Sequence, residues 1–495
     1  MRMLHQIKNK AVSITLIAPS LNFAAIAALL LLWATHFKLQ AQETWSLRKC
    51  IDIAVENNLS LKSQQLRLEQ AKIQLSDQKS LMTPQLSGFA NGGINFGRNI
   101  DPSSNDYITQ NIISGNYGLN ASITLFQGGY IRNSIRQAKQ LYDAESLDYQ
   151  QAELDLSLQV AAYYLNVLLT DENIDIASEN LLASNRQLEQ VNSLIKAGSK
   201  PELDGLELQT QVARSEQQLV TAENNYDLAW LKLRQALRVP ESTLFELEKL
   251  SDAQLNTIVI ETYEPDFLYD ISVENQPGLK AAKLQLEAAK IGEKISRSLY
   301  FPSVGIGANL GSNYSNAAKE ISGYTIKKTI VPGIYIDGRQ VIFEQESPVV
   351  DGLRPIPFRR QFDLFLGYGL GLNIQIPILS QNRTRNSVAR AKINSRQQQI
   401  NLESKKLALS QDIHTASSNL KAAEKEYQAA DKTYQASKIT AEKLEKKFSI
   451  GAATTYELDA IRTSLLNSRV SLLISKYDLL FKQKVLDYYA GKKIN

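Results

Sequence analysis

The sequence predicts an α+β membrane protein in which short alternating strands are joined by very long helices, with the whole plan written twice. Leu61-Lys62, Leu66, Leu68, Ala71-Lys72-Ile73 and Pro84 recur 218 positions later as Leu279-Lys280, Leu284, Leu286, Ala289-Lys290-Ile291 and Pro302. Farther on, Gly198 recurs 253 positions later as Gly451. Between these marks lie alternating runs of about ten residues, the length of a tilted membrane strand. Two stretches of 65 residues, Arg132–Lys196 and Arg383–Lys447, contain neither proline nor glycine. Such a pattern divides the chain into two halves of one fold rather than a string of domains.

The chain opens on Arg2, Lys8 and Lys10, followed by the apolar run Phe23–Trp33 and Leu39-Gln40-Ala41. This order predicts a cleaved signal peptide over 1–41. The apolar run is short of the ~20 residues of a membrane span, which is the competing anchor reading. Residues 1–41 hold four of the 55 basic residues and none of the 51 acidic ones, so the remainder is neutral. That balance gives no electrostatic case for nucleic acid as a partner.

Leu47 to about Thr83 reads as one helix ended by Pro84. The next segments alternate. Tyr117, Leu119, Ala121, Ile123 and Leu125 are separated by Gly118, Asn120, Ser122 and Thr124, with a weaker version at Leu86, Gly88 and Ala90. In the second half Val304, Ile306, Ala308 and Leu310 alternate with small residues, as do Leu366, Tyr368, Leu370, Leu372, Ile374 and Ile376. One face suits lipid and the other, glycine and amide, suits a wet lumen. Two separate pairs of strands cannot close a barrel, and an open edge in lipid leaves amides unpaired at several kcal/mol each. Membrane strands therefore require other copies of the chain, whereas a soluble sandwich with one wet face does not.

The long runs carry heptad spacing, for example Leu154, Leu158, Ala161, Leu165 and Leu168. At ~1.5 Å per residue each makes a rod of ~100 Å. Each rod breaks at its glycine and returns as a shorter helix, about Leu203–Leu237 and Tyr456–Tyr488. The domain plan is a first repeat over 42–238, a connecting region over 239–277 and a second repeat over 278–495. The two offsets differ because a loop over 312–363 replaces a shorter one; Ile334–Phe343 predicts a small hairpin about Asp337-Gly338. Lys327, Lys328, Arg339, Arg354, Arg359 and Arg360 make this loop basic, which suits either plain solvation or anionic lipopolysaccharide. Phe126, Tyr300, Phe301, Phe362 and Phe365 fall near strand ends and fit the aromatic girdles of barrels, or else an ordinary core.

Trp45-Ser46-Leu47 with Ala54 and Asn57-Asn58 resembles the opening of TolC-like outer-membrane efflux proteins. Phe126-Gln127-Gly128-Gly129 and the two glycine turns followed by Leu203-Asp204 and Glu457-Leu458 are similar to that family too. The resemblance implies a homotrimer whose protomers, with four strands each, close a twelve-stranded transmembrane β-barrel continued by a periplasmic α-helical coiled-coil barrel. It implies an outer-membrane exit duct working with a periplasmic adaptor and an inner-membrane pump, in drug efflux or type I secretion. It also implies docking of the adaptor at Ala197-Gly198-Ser199 and Ile450-Gly451-Ala452. Gate positions carry over to Asp204, Phe448 and Glu457, with Asp459 one position from the expected second acid, Ala460. Phe448 stands for the family's tyrosine and Ala453 for its arginine, so the salt-bridge lock is incomplete here. Helix N-terminal stabilisation is the competing role for Asp204 and Glu457.

No nucleophile elbow, phosphate loop or metal-ligand cluster is legible, and Cys50 and His414 sit singly in helical patterns. The reading is therefore a channel rather than an enzyme, with no cofactor. A periplasmic coiled-coil scaffold is the alternative; it explains the heptads but not the glycine-alternating strands.

Overall fold

The computed structural model describes residues 43–100, 106–240, 242–249 and 263–494. The expected signal peptide lies outside the described residues, as does part of the connecting region. The first half runs β1 (Glu43–Trp45), α1 (Leu47–Asn57), α2 (Leu59–Ser80), β2 (Gln85–Asn95), the short pair β3 (Arg98–Ile100) and β4 (Tyr107–Thr109), β5 (Ile112–Gln127), α3 (Tyr130–Lys196) and α4 (Glu202–Leu237). After β6 (Phe245–Leu247) the second half runs α5 (Pro265–Asn275), α6 (Pro277–Ser298), β7 (Ser303–Ser315), β8 (Lys319–Ile336), β9 (Arg339–Pro355), α7 (Phe358–Leu364), β10 (Gly367–Gln375), α8 (Arg383–Ser449) and α9 (Thr455–Tyr489).

The repeat extends to element lengths. α1 and α5 have 11 residues each, α2 and α6 have 22, α3 and α8 have 67, and α4 and α9 have 36 and 35. Residues 265–275, assigned from sequence to the connecting region, form a helix of the same length as α1 and 218 positions after it. The single helix expected over Leu47–Thr83 is two. Asn58 is extended (ψ 127°), and its side chain accepts from the amides of Ser60 and Leu61 at 2.8 and 3.1 Å. That cap starts a new helix where the pattern alone reads through. At the equivalent break Gln276 precedes Pro277, which bars it from helical geometry.

β10, β7, β5 and β2 form one antiparallel sheet in that order. The two predicted strand pairs are thus joined, because β5 pairs with β7. The helices keep the same lateral order: α8 packs on α6, α6 on α3, and α3 on α2. Toward the far end α4 and α9 flank α3, and α9 packs on α8. The rod α3 is consequently matched by α2 and α4 in succession, as its length predicts.

Two apolar clusters hold the layer at its equator. The larger joins Trp45, Leu156, Val160, Tyr164, Leu233, Leu237, Phe245 and Tyr477. Here β1 pairs in parallel with β6, Trp45 stacks on Phe245 with centroids 3.7 Å apart, and the Tyr164 hydroxyl donates to the carbonyl of Glu248 at 2.9 Å. The second cluster joins Leu268, Ile413, Leu420, Leu479 and Leu486.

The predicted hairpin is present but longer: β8 and β9 have 18 and 17 residues and turn at Asp337-Gly338, both at positive φ (51° and 76°). Positive φ at both central residues gives the twist a two-residue hairpin needs. Gly323 and Pro332-Gly333 broke the alternation in sequence; register shifts at Ile321/Gly323 and Val331/Ile334 absorb them.

Candidate channel wall and gate

Register sorts the sheet into complete rows. Leu370, Ala308, Ala121 and Leu86 lie side by side across all four strands, as do Tyr368, Leu310, Leu119 and Gly88. The intervening rows are Gly369, Asn309, Asn120 and Ser87, and Gly371, Gly307, Ser122 and Gln85. One face is therefore mostly glycine, amide and hydroxyl, with Phe89 beside Gly118 and Gly311. The other is apolar and open: Leu370 is 83% exposed, Leu86 69% and Leu372 63%. A contiguous apolar face of this kind marks contact with lipid or protein. Gly118 is needed for the sheet to form, since a Cβ there would come within 2.3 Å of the Leu310 carbonyl oxygen.

The five girdle candidates stand at two levels. Phe126, Tyr300 and Phe301 lie where helices enter and leave the sheet, and Phe362 and Phe365 lie at its opposite end. All five remain exposed, from 39% for Phe365 to 55% for Phe301. Phe301 also explains Gly128, where a Cβ would sit 2.6 Å from the Cβ of Phe301. Gly128 and Gly129 both take positive φ (57° and 81°) to turn from β5 into α3. At the equivalent turn into α8, Gln381 and Asn382 take 50° and 62° without glycine.

At the far end, each long helix closes with the same motif. Ser199 N–H donates to the Leu194 carbonyl at 2.8 Å and Gly198 N–H to Ile195 at 2.9 Å. Ala452 N–H donates to Lys447 at 2.8 Å and Gly451 N–H to Phe448 at 3.0 Å. These are Schellman turns, which need positive φ at the residue after the cap; Gly198 and Gly451 supply 72° and 74°. Ala197 and Ile450 are the caps, and a Cβ on either glycine would meet nothing within 4 Å. The turns are bare surface in the protomer.

The structure brings Asp204 and Phe448 together through a residue not singled out from sequence, Lys200. Its ammonium donates to Asp204 Oδ2 at 2.8 Å and to Thr455 Oγ1 at 2.9 Å, and lies 4.8 Å from the centre of the Phe448 ring. Thr455 Oγ1 in turn lies 3.2 Å from Asp204 Oδ2. The cluster thus ties the start of α4 to the start of α9 and the end of α8. By the 253-residue offset Lys200 is equivalent to Ala453, and Asp204 to Glu457. The cation missing from one copy of the turn stands in the other. Its legible signal was the short spacing Lys200-Asp204, which brings the lysine just before the cap Pro201 onto a carboxylate in the first turn of α4. Thr455 gave no signal, since its partner lies 251 positions away.

Glu457 does something different. It completes a capping box with Thr454, accepting from the Thr454 amide at 2.8 Å while the Thr454 hydroxyl accepts from the Glu457 amide at 3.2 Å. Its carboxylate stays exposed. Asp459 stands apart on α9, near Arg214 and Arg462. Arg462 binds Glu445 of α8 at 2.8 Å and also Gln187 of α3. The electrostatics follow this sorting. The Lys200 hydrogen bond holds the Asp204 carboxyl below its ordinary range, and the Thr454 amide does the same for Glu457. Burial pushes Asp459 the other way, against the two arginines. Among the described residues no group of His, Cys, Asp and Glu is placed to hold a metal, and no helix is long and apolar enough to cross a membrane.

The model of the outer membrane efflux protein family matches residues 50–237 and 366–492. Outer membrane protein TolC of Vibrio cholerae is 22% identical over 456 residues, 89% of this chain and 92% of that protein. The pyoverdine export outer membrane protein OpmQ of Pseudomonas putida is 27% identical over 223 residues; there the match spans 46% of the relative's length. Among solved structures, CusC superposes with a TM-score of 0.73 at 18% identity, covering 90% of this chain and 92% of that one. The CmeC outer membrane channel of Campylobacter jejuni gives 0.70 at 18% identity, covering 90% and 85%. The helical layer, the four-stranded sheet and the matched segments agree: the chain belongs to the outer membrane efflux protein family.

Proposed function

We propose that three copies of this chain close a twelve-stranded barrel in the outer membrane and a helical tunnel beneath it, forming a passive exit duct for a pump partner. The observation that carries this is the match between the two open sides of the protomer. β2 and β10 are the free edges of the sheet, and α2 and α8 are the helices beneath them. On α2, Leu59, Leu66 and Ile73 recur every seven residues and are 60, 65 and 61% exposed. On α8, Ile393, Ile400 and Leu407 recur at the same spacing and are 66, 59 and 72% exposed. α2 runs toward the sheet and α8 away from it, so the stripes of neighbouring copies meet as an antiparallel heptad seam. The same contact pairs the β2 and β10 edges, whose amides lipid cannot satisfy.

The glycine turns at 198 and 451 then stand at the periplasmic tip, open to an adaptor. The Lys200–Asp204–Thr455 cluster holds the two hairpins of one protomer together there, and Glu457 lines the constriction as an exposed carboxylate that favours cations. Among the described residues the lumen face of the sheet is mostly glycine, amide and hydroxyl and carries no charged side chain. A periplasmic scaffold would have no use for an open apolar sheet face. Outer-membrane fractionation, heat-modifiable oligomer on a gel and ion conductance in a planar bilayer test the proposal. Protein that is monomeric and soluble without detergent sinks it.

A further inference from the structure

Helix α7 lies inside the 312–363 segment, between the β8–β9 hairpin and β10, at the end of the sheet far from the long helices. It has only seven residues, too few for a helix stable in isolation. Gln361 pins it, donating to the carbonyls of Ser315 and Ile356 at 2.8 and 2.7 Å and accepting from the Ser315 amide at 2.8 Å. Ser312 Oγ adds a bond to the Phe362 carbonyl at 2.9 Å. Phe362 stacks on Tyr117 with centroids 5.5 Å apart, and Phe358 lies 5.5 Å from Tyr314. Tyr117 and Tyr314 share strand parity with Leu119 and Leu310, so α7 rests on the apolar face of the sheet, outside the would-be barrel.

A helix there is surrounded by whatever surrounds that face. Phe358 is 56% exposed, Phe362 40%, Leu364 59% and Phe365 39%. Its cations divide in two. Arg360 is paired with Glu320, a residue at the hairpin's root that Arg354 also binds. Arg359 is exposed and meets no carboxylate among the described residues. The surface of α7 carries aromatic, aliphatic and guanidinium groups together with one exposed carboxylate, Asp363, four residues from Arg359. With two guanidinium groups to one carboxylate, it fits the boundary between acyl chains and phosphate headgroups.

We propose that α7 is an interfacial helix seated in the outer leaflet, with Phe358, Phe362 and Leu364 at the acyl boundary and Arg359 at a lipid phosphate. It forms one collar segment per protomer and fixes the depth of the barrel. The proposal rests on the membrane reading given above, and its test separates the two. The full chain is reconstituted into phosphatidylcholine vesicles brominated either near the headgroup or near the tail end. Phe362→Trp reports on α7 and Leu370→Trp on the sheet face, each read against the parent protein with its native tryptophans. Quenching of Phe362→Trp, stronger with headgroup-proximal bromines, together with quenching of Leu370→Trp, is the expected result. Quenching of Leu370→Trp without Phe362→Trp overturns the proposal and leaves the membrane reading standing. Quenching of neither overturns both. If Phe362→Trp does not fold, Leu364→Trp, whose side chain makes no ring stack, gives the same readout.

Discussion

The two ends of the helical layer are built from the same repeat yet present opposite chemistry. Near the sheet, the protomer's open sides carry aliphatic side chains at strict heptad spacing, Leu59, Leu66 and Ile73 against Ile393, Ile400 and Leu407. At the tip, the contacts are a lysine shared between a carboxylate and a hydroxyl, a capping box and two bare glycine turns. Burying an aliphatic side chain is worth about 1.5–3 kcal/mol, and such burial has no switch. A partly exposed ion pair contributes roughly 0–1 kcal/mol and responds to pH, salt and competing partners. On the proposed assembly, the difference assigns the permanent contact to the end near the sheet and the opening to the tip. The two tip turns differ from each other as well. Asp204 is tied across to the second hairpin, whereas its equivalent Glu457 folds back on its own helix and leaves its charge to solvent.

The largest expected effect comes from breaking the seam near the sheet. Leu66→Asp combined with Ile400→Asp places carboxylates opposite one another on every boundary, and the oligomer seen by light scattering in detergent is expected to disappear. An intact oligomer would remove the seam from the comparison. Gly118→Val acts within the protomer: its side chain collides with the Leu310 carbonyl, and the heat-modifiable barrel is expected to be lost from the membrane fraction.

Lys200→Ala should leave assembly intact and loosen the tip. Removing a hydrogen bond to a charged group costs about 1.5–3 kcal/mol, less with the exposure seen here. Several-fold more open-channel conductance in planar bilayers is the expected reading. The pH dependence carries a definite sign. Asp204 has its carboxyl lowered by Lys200, so the pair's contribution is complete above the ordinary aspartate range and is lost as pH falls through the lowered value. Wild-type conductance should therefore rise only below about pH 4, and Lys200→Ala should abolish that rise. A rise beginning near pH 6 would point to another group.

Glu457→Gln tests the other copy of the turn. The amide retains much of the capping geometry and removes the charge, so reduced cation selectivity with unchanged melting is expected. Unchanged selectivity would leave Glu457 only its capping role. The smallest effect belongs to the turns at the sheet. Gln381→Gly brings the second turn to the glycine of the first, and relief of a left-handed backbone should stabilise by about 1 kcal/mol, read as a higher melting temperature.

Much of this architecture was legible in sequence. The offsets of 218 and 253 residues aligned the halves, proline and glycine marked the helix ends, and alternation located all four barrel strands. Asn58 hid its break because its capping bonds run to Ser60 and Leu61, which a helical pattern does not record. The hairpin's true length was masked by Gly323, Pro332 and Gly333, which bulges accommodate only when a partner strand is present. Lys200 stood in view, but its bond to Thr455 did not.

By itself, the sequence determined what each segment is, because the periodicity of side chains within one element is a local property of the chain. Only the tertiary structure decided what each segment meets. The pairing of β5 with β7, the parallel rows of open edges over α2 and α8, the seat of α7 on the apolar face and the Lys200 cluster all join residues far apart in sequence. Such contacts depend on how whole elements are packed, and packing is settled by complementary surfaces rather than by any one segment's pattern.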